Sequence, residues 1–312
     1  MRYKEKMKNP KVSVIIPNYN HAQYLEQRIE SVLNQTYEDF EVIVLDDCSP
    51  DDGASRAVIE RYRENPHVSH IVYNEQNSGS TFIQWQKGFS LAKGEIIWIA
   101  ESDDWCKEDF LESMMPCWDK HPECTIVQSS GYYAWSDKKK LLDNMGEPDT
   151  VQYYDGVEYI KRFLVKSCFY IPNASGVTFR KNVAMSLSKD YMEYKAAGDR
   201  LFWICMLEHG GICQVNKPLN YFRQHEGKVT QSKELDGTQA RENYKINRYL
   251  HKRGYIDCRL SADEFVFYYN HFHQHPFVTE KVREEILRLW FPWWKRNPIY
   301  HRLVKLYLMF TK

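Results

Sequence analysis

Four apolar runs in the first hundred residues, each ending in polar side chains and separated by helix-like segments, restrict this chain to very few folds. "VSVIIP" (12–17), "EVIVLD" (41–46), "HIVYN" (70–74) and "EIIWIA" (95–100) do not alternate apolar with polar, which is the pattern of strands covered on both faces. Between the first two, "QYLEQRIESVLNQ" carries Leu25, Ile29, Val32 and Leu33 at helical spacing. "DCSPDDGAS" turns into a helix through Val58, Ile59 and Tyr62, and "NSGS" precedes "TFIQWQKGFSLAKG", a helix that Gly94 closes. Strands alternating with helices predict an α/β architecture with a parallel sheet between two helical layers.

In such sheets ligands bind beyond the carboxyl ends of the strands. Here those ends deliver Asn18 with Asn20, Asp46 with Asp47, Asn74 with Asn77, and then Glu101, Asp103 and Asp104 within four positions. Four successive strands thus bring polar groups to one rim. Like carboxylates so close together repel and usually need a cation or a proton to share. Alternatively, Asp103 or Asp104 caps the helix expected in "KEDFLESMM". A cap needs one acid and not three.

Further along, "CTIVQSSGYYAW" reads as a strand and "SGVTFRKNVAM" as a strand running into a helix. "GDRLFWICMLEHGG" is a helix with Leu201, Ile204, Cys205 and Leu207 inward and Asp199 at its start. "ICQVNKPLNYFRQH" is two short strands or one extended segment ending at Arg223 and His225. Beyond the polar stretch "EGKVTQSKELDGTQ" the composition turns helical, aromatic and basic, which sets a boundary near residue 231. Lysine plus arginine (42) balances aspartate plus glutamate (42), so bulk charge argues against a nucleic-acid partner. The 8 cysteines form no CxxC pair, and "MRYKEKMKNP" has no secretory pattern, so we expect reduced thiols in a cytoplasmic setting and no structural zinc. No apolar stretch approaches the roughly 20 residues that span a bilayer.

Together, "VSVIIPNYNHAQYLEQRIESVLNQTY", "VIVLDDCSPDDG", "NSGSTFIQWQKGFSLAKGEIIWIAESDDW" and "GDRLFWICMLEHGGICQVNKPLNYFRQH" resemble the inverting family 2 glycosyltransferases of GT-A fold, from residue 12 to about 230. The resemblance implies a Rossmann-like, mixed, mostly parallel sheet flanked by helices. A short lead (1–11) precedes the catalytic domain (12–230), whose halves bind nucleotide (12–105) and acceptor (106–230), and a helical C-terminal extension (231–312) follows. It further implies transfer of a sugar from a UDP- or dTDP-type nucleotide-sugar donor, with Mg²⁺ or Mn²⁺ offsetting the charge of the leaving diphosphate. The acceptor would be a saccharide or lipid-linked saccharide in cell-surface polysaccharide assembly.

By the same resemblance, Pro17, Asn18, Tyr19 and Asn20 lie along the base, and Asp46 and Asp47 accept from its imide edge and the ribose. Asn77 and Gly79 face the nucleotide. The family's DxD motif falls on Glu101, Ser102 and Asp103, with Asp103 the metal ligand and Glu101 and Asp104 toward the ribose or the metal's waters. Glutamate in the first slot departs from the usual aspartate. "QWQKG" replaces the usual arginine-asparagine pair, leaving Lys87 either as a pyrophosphate cation or as a solvated helix lysine. Asp199 takes the place of the catalytic base, with Gly198 where a second acid is usual. Arg223 matches a clamp on the diphosphate, and His225 completes the metal shell or bonds a phosphate.

The chain ends in "FPWWKRNPIYHRLVKLYLMFTK", where Leu303, Leu306, Tyr307 and Phe310 recur at helical spacing after Trp290, Trp293 and Trp294. Residues 290–312 suit either peripheral contact with an anionic membrane face or packing against protein. Two rival activities stand beside transfer. A non-catalytic nucleotide-sugar-binding module would lack a base, and a nucleotidyltransferase would need a glycine-rich basic loop after the first strand, where "PNYNHAQ" stands.

Overall fold

The structure is a computed structural model that describes residues 9–142, 146–165, 170–225, 236–256 and 278–290, with Lys233 and Leu306 beside them. Its ten strands form one sheet: β1 (Val12–Asn18), β2 (Phe40–Asp46), β3 (Val68–Tyr73), β4 (Ile96–Ile99), β5 (Trp105–Cys106), β6 (Cys124–Ala134), β7 (Lys139–Leu141), β8 (Val151–Tyr154), β9 (Val177–Arg180) and β10 (Gly211–Arg223). The spatial order is β3-β2-β1-β4-β9-β6-β10-β5, with β7 paired to β6 and β8 to β10. β3, β2, β1 and β4 run parallel. β9 is antiparallel to both β4 and β6, whereas β6 and β10 are parallel to each other. The sheet is therefore mixed. Its parallel block of four strands is the part that the continuous apolar runs predicted.

The helices are α1 (Ala22–Leu33), α2 (Ala54–Glu60), α3 (Thr81–Leu91), α4 (Phe110–Lys120), the short α5 (Gly156–Tyr159), α6 (Lys181–Ser186), α7 (Gly198–Leu207), α8 (Thr238–Lys252) and α9 (Glu280–Trp290). Alternate residues of the central strands feed two cores. Val14, Ile16, Val42 and Val44 meet α1 and α4 on one face, while Ile15, Ile43, Ile97 and Ile99 meet α3 and α7 on the other. β1, β2 and β4 are thus buried on both sides, which is why their sequences carry no alternation, whereas β3 at the sheet edge is half-buried.

One detail differs from expectation, and two alternatives left open by the sequence are resolved. Helix α3 ends at Leu91, and Gly94 lies beyond it, where a Cβ would sit 2.6 Å from the backbone nitrogen of Ser13. Gly94 thus lets β1 pass and does not close the helix. The segment ending at Arg223 is a single strand whose register against β6 shifts around Pro218, a residue with no N–H for the ladder. Helix α4 begins at Phe110 with Asp109 before it, and β5 intervenes after the acids, so neither Asp103 nor Asp104 caps it.

Helix α8, from the segment expected to extend beyond the catalytic domain, packs Ile246 and Leu250 into the same core as Phe202 and Ile204 of α7. Trp290 closes α9 against Tyr244 of α8, ring centroids 5.3 Å apart, and is buried there. The remainder of 290–312, apart from Leu306, lies outside the described residues. Among the described residues no helix is long and apolar enough to cross a membrane.

Candidate active site

The rim is built in two adjoining parts. Beyond β1 and β2, which pair Asn18 with Asp46, the Asn18 amide donates to Asp46 Oδ1 at 2.7 Å. Ser49 also donates to Asp46, through its hydroxyl at 2.6 Å and its backbone N–H at 3.1 Å, and its Oγ accepts from the backbone of Asn20 at 2.8 Å. Asn20 is left-handed at φ +58°, a conformation asparagine tolerates. Pro17 is buried in β1 and Tyr19 stands exposed above it. Asp47 gathers the next loop: it accepts from Asn74 Nδ2 at 2.6 Å, the Ser78 backbone at 2.9 Å, the Ser78 hydroxyl at 2.7 Å and Gln84 Nε2 at 2.8 Å. Asn77 donates to the carbonyl of Asp47 and accepts from the backbone of Gly79, whose φ of +72° makes glycine the fitting residue. Lys87 reaches the side-chain oxygen of Asn74. The residues read from sequence as nucleotide-facing therefore form one bonded surface over the ends of β1, β2 and β3.

At the end of β4 the three clustered acids are handled in three different ways. Glu101 turns inward, where its Oε1 accepts the indole N–H of Trp85 at 3.0 Å. Burial, and then the charge of Asp103, push its carboxyl up to about 8, so it holds a proton at neutral pH. Asp104 is 1% exposed and accepts from Asn173 Nδ2 (2.6 Å), Ser175 Oγ (2.7 Å) and the Arg223 backbone (2.9 Å). The fully buried Arg28 guanidinium lies 4.0 Å from it and donates through Nε to the carbonyl of Glu101 at 2.9 Å. Burial raises the Asp104 carboxyl and Arg28 opposes that rise. Both carboxyls are thus hydrogen-bonded within the protein.

Asp103, half-buried, is the one of the three whose carboxylate meets an imidazole. Its Oδ2 is 3.1 Å from His225 Nε2, and its carbonyl accepts from Arg223 Nε at 2.6 Å. The Arg223 guanidinium is layered between Trp105 and Tyr24, 4.3 and 4.5 Å from their ring centres, so it braces this loop. His21, which the sequence reading passed over, completes the group. Its Nδ1 lies 2.9 Å from the Ser102 hydroxyl, and one ligand atom each from His21, Asp103 and His225 can be chosen within 4.8 Å of one another. Burial lowers the His21 pKa, Asp103 opposing and His225 adding to the effect. Two imidazoles and a carboxylate are a donor set that fits a divalent cation.

Asp199 lies in the first turn of α7. Its Oδ1 accepts from the Arg200 backbone at 2.8 Å, and burial pushes its carboxyl up to about 6. Gly198 before it has no room for a second acid: a Cβ there would meet Phe82 at 2.5 Å and the carbonyl of Tyr191 at 2.6 Å. The approach to the helix is anchored from α8. Glu242, 6% exposed, accepts the backbone N–H groups of Lys195, Ala196 and Ala197 at 2.7, 2.8 and 2.8 Å. Lys195 in turn donates to the carbonyl of Gly79 at 3.0 Å, tying the Asp199 side to the nucleotide-facing loop.

Among known proteins, the glycosyltransferase alr2836 of Nostoc, itself uncharacterized, is 28% identical over 69% of this chain and 65% of its own length. The poly(ribitol-phosphate) beta-N-acetylglucosaminyltransferase TarP of Staphylococcus aureus is 36% identical over 33% of this chain and 32% of its own. The matched segments thus span less than two thirds of either relative. In three dimensions the chain is similar to S. aureus TarS 1–349 in complex with UDP-GlcNAc, with a TM-score of 0.57 and 20% identity over 90% of this chain and 71% of that one. It is also similar to the mannosyltransferase PcManGT of Pyrobaculum calidifontis in complex with GDP-Man and Mn²⁺, with a TM-score of 0.54, 16% identity, all of this chain and 93% of that one. These likenesses agree with the sheet order above on the GT-A fold. The family model described as "Glycosyl transferase family 2" matches residues 13–182, more than half of the 312 residues, and the chain belongs to glycosyl transferase family 2.

Proposed function

We propose that this protein is a metal-dependent, inverting glycosyltransferase that moves a sugar from a UDP- or dTDP-type donor to a saccharide or lipid-linked saccharide acceptor in cell-surface polysaccharide assembly. One observation carries the reading: of three neighbouring acids, Asp103 is the one whose carboxylate meets histidine, grouped with His225 and His21. In this reading Asp103 and His225 hold Mg²⁺ or Mn²⁺, which when bound offsets the negative charge of the departing diphosphate. Asn18, Asp46, Asp47 and the 77–79 loop receive the nucleoside. Glu101, Asp104 and Arg223 keep the Asp103 loop in place.

Asp199 is the base. A carboxyl with a pKa of about 6 is ionised at neutral pH yet basic enough to take the acceptor hydroxyl's proton. The acceptor oxygen then bonds to the anomeric carbon from the face opposite the diphosphate. The carbon–oxygen bond to the diphosphate breaks, its electrons leave with the phosphate oxygen, and the configuration inverts. Support for the donor and acceptor classes comes from the activity for which TarP is named and from the UDP-GlcNAc held by TarS.

The deciding experiment incubates the chain with UDP- and dTDP-sugars, Mn²⁺ and candidate glycans, following nucleotide release and the anomeric configuration of the product. Release that needs both acceptor and metal, with an inverted product, is expected. Saturable donor binding with no release under any acceptor would instead make the chain a binding module.

A further inference from the structure

We propose that His21 is a direct protein ligand of the divalent cation, joining Asp103 and His225, and that this two-imidazole set tilts the site from Mg²⁺ toward Mn²⁺ and softer ions. The inference rests on the reading above that Asp103 holds a cation. It adds a ligand from the loop that follows β1.

Three features of His21 carry it. First, its position is fixed by α1, which it directly precedes: its carbonyl accepts from the backbone N–H groups of Tyr24 at 2.8 Å and Leu25 at 3.0 Å. Second, Nδ1 is already engaged by the Ser102 hydroxyl at 2.9 Å, so one ring nitrogen is oriented by a neighbour and Nε2 is left for another partner. Imidazoles that bind metals are oriented in this way, by a hydrogen bond at the other nitrogen. Third, the ring meets that of His225 edge to face, with centroids 5.8 Å apart and planes at 89°, and both converge on Asp103. Packing alone would need no carboxylate between two histidines. His21 also shows no side-chain bond that caps α1, so a role in the helix start does not account for it.

The chemistry of the set predicts its selectivity. Mg²⁺ prefers oxygen donors and keeps its waters, whereas imidazole suits Mn²⁺ and the later first-row ions better. A site with one carboxylate and two imidazoles therefore gains more from His21 with Mn²⁺ than with Mg²⁺. Removing His21 should narrow the difference between the two ions and not abolish binding.

The test titrates Mn²⁺ and, separately, Mg²⁺ into the full chain with UDP present, by calorimetry, and counts bound imidazole nitrogens on Mn²⁺ by pulsed EPR. The variants are His21→Asn, which keeps a polar group near the Ser102 hydroxyl but lacks Nε2, and Asp103→Ala; both are checked for native melting. The native protein should show two imidazole nitrogens and His21→Asn one, with Mn²⁺ affinity down about tenfold and Mg²⁺ affinity changed by no more than about threefold. An unchanged nitrogen count in His21→Asn overturns the proposal and leaves the Asp103 reading standing. Mn²⁺ binding that ignores Asp103→Ala overturns both.

Discussion

The indole N–H of Trp85 donates to Oε1 of Glu101 at 3.0 Å, and this contact accounts for how three acids coexist at the end of β4. Trp85 is held by Phe82, Phe202 and Trp203, so it offers a fixed donor inside the core. Glutamate has one methylene more than aspartate with which to reach that donor. Glu101 keeps its proton, Asp104 is offset by Arg28 and three hydrogen bonds, and Asp103 meets His225.

Glu101→Gln should therefore retain metal-dependent donor binding. Unfolded, the glutamate carboxyl releases its proton near 4.5, but folded it holds it to about 8. The folded state binds more protons across that window, so stability falls as pH rises from 4.5 to 8. Thermal melts in a chelator at pH 5 and pH 8 should show a smaller loss for Glu101→Gln than for the native chain. An equal loss in both would mean that the carboxyl is already ionised.

Asp199→Asn should bind donor normally and lose transfer by about 10²–10⁴-fold, the usual contribution of a positioned base. The native rate should rise with pH through about 6, where the carboxyl gives up its proton. Because burial of the charged form costs stability above that pH, Asp199→Asn should also melt higher than the native chain at pH 7.5. Rate against pH and a single melt check both halves.

Arg28→Met would leave Asp104 buried beside Asp103 with no counter-charge, and should destabilise the fold by about 3–5 kcal/mol. Adding Asp104→Asn should return part of that loss, since the buried charge then disappears. A double-mutant cycle in urea measures the coupling; additive effects would refute it.

Glu242→Gln should weaken the three-donor anchor on residues 195–197 and remove a negative charge whose field raises the Asp199 pKa. The acid limb of the rate profile should move to lower pH and the maximal rate should fall, with Mn²⁺ and donor affinity unchanged. A loss of rate with no shift of the limb would confine Glu242 to a structural role.

Much of this was legible in the sequence because burial on both faces writes itself as unbroken apolar runs, and the rim writes itself as the polar residues that end them. Asn18, Asp46, Asp47, Asn77 and Asp103 all stand where that argument put them. The differing fates of Glu101, Asp103 and Asp104 were not legible, since they depend on Trp85, Arg28, Asn173 and Ser175, which lie up to 76 positions away. His21 was open to view, one residue past "PNYN", but nothing in its neighbourhood pairs it with His225 until the chain returns through β10. Gly94 looked like a helix stop because glycine serves both turns and close backbone approach, and only the position of Ser13 separates the two. Glu242 was hidden by the polar stretch before it, which reads as a boundary although α8 packs back onto α7.

The most direct test of the central claim is calorimetric titration of UDP with Mn²⁺ into the native chain and Asp103→Ala. The account predicts binding by the native protein that a chelator removes, and loss of that metal dependence in Asp103→Ala while its melting stays cooperative. Equal, chelator-insensitive binding of UDP by both proteins would contradict it.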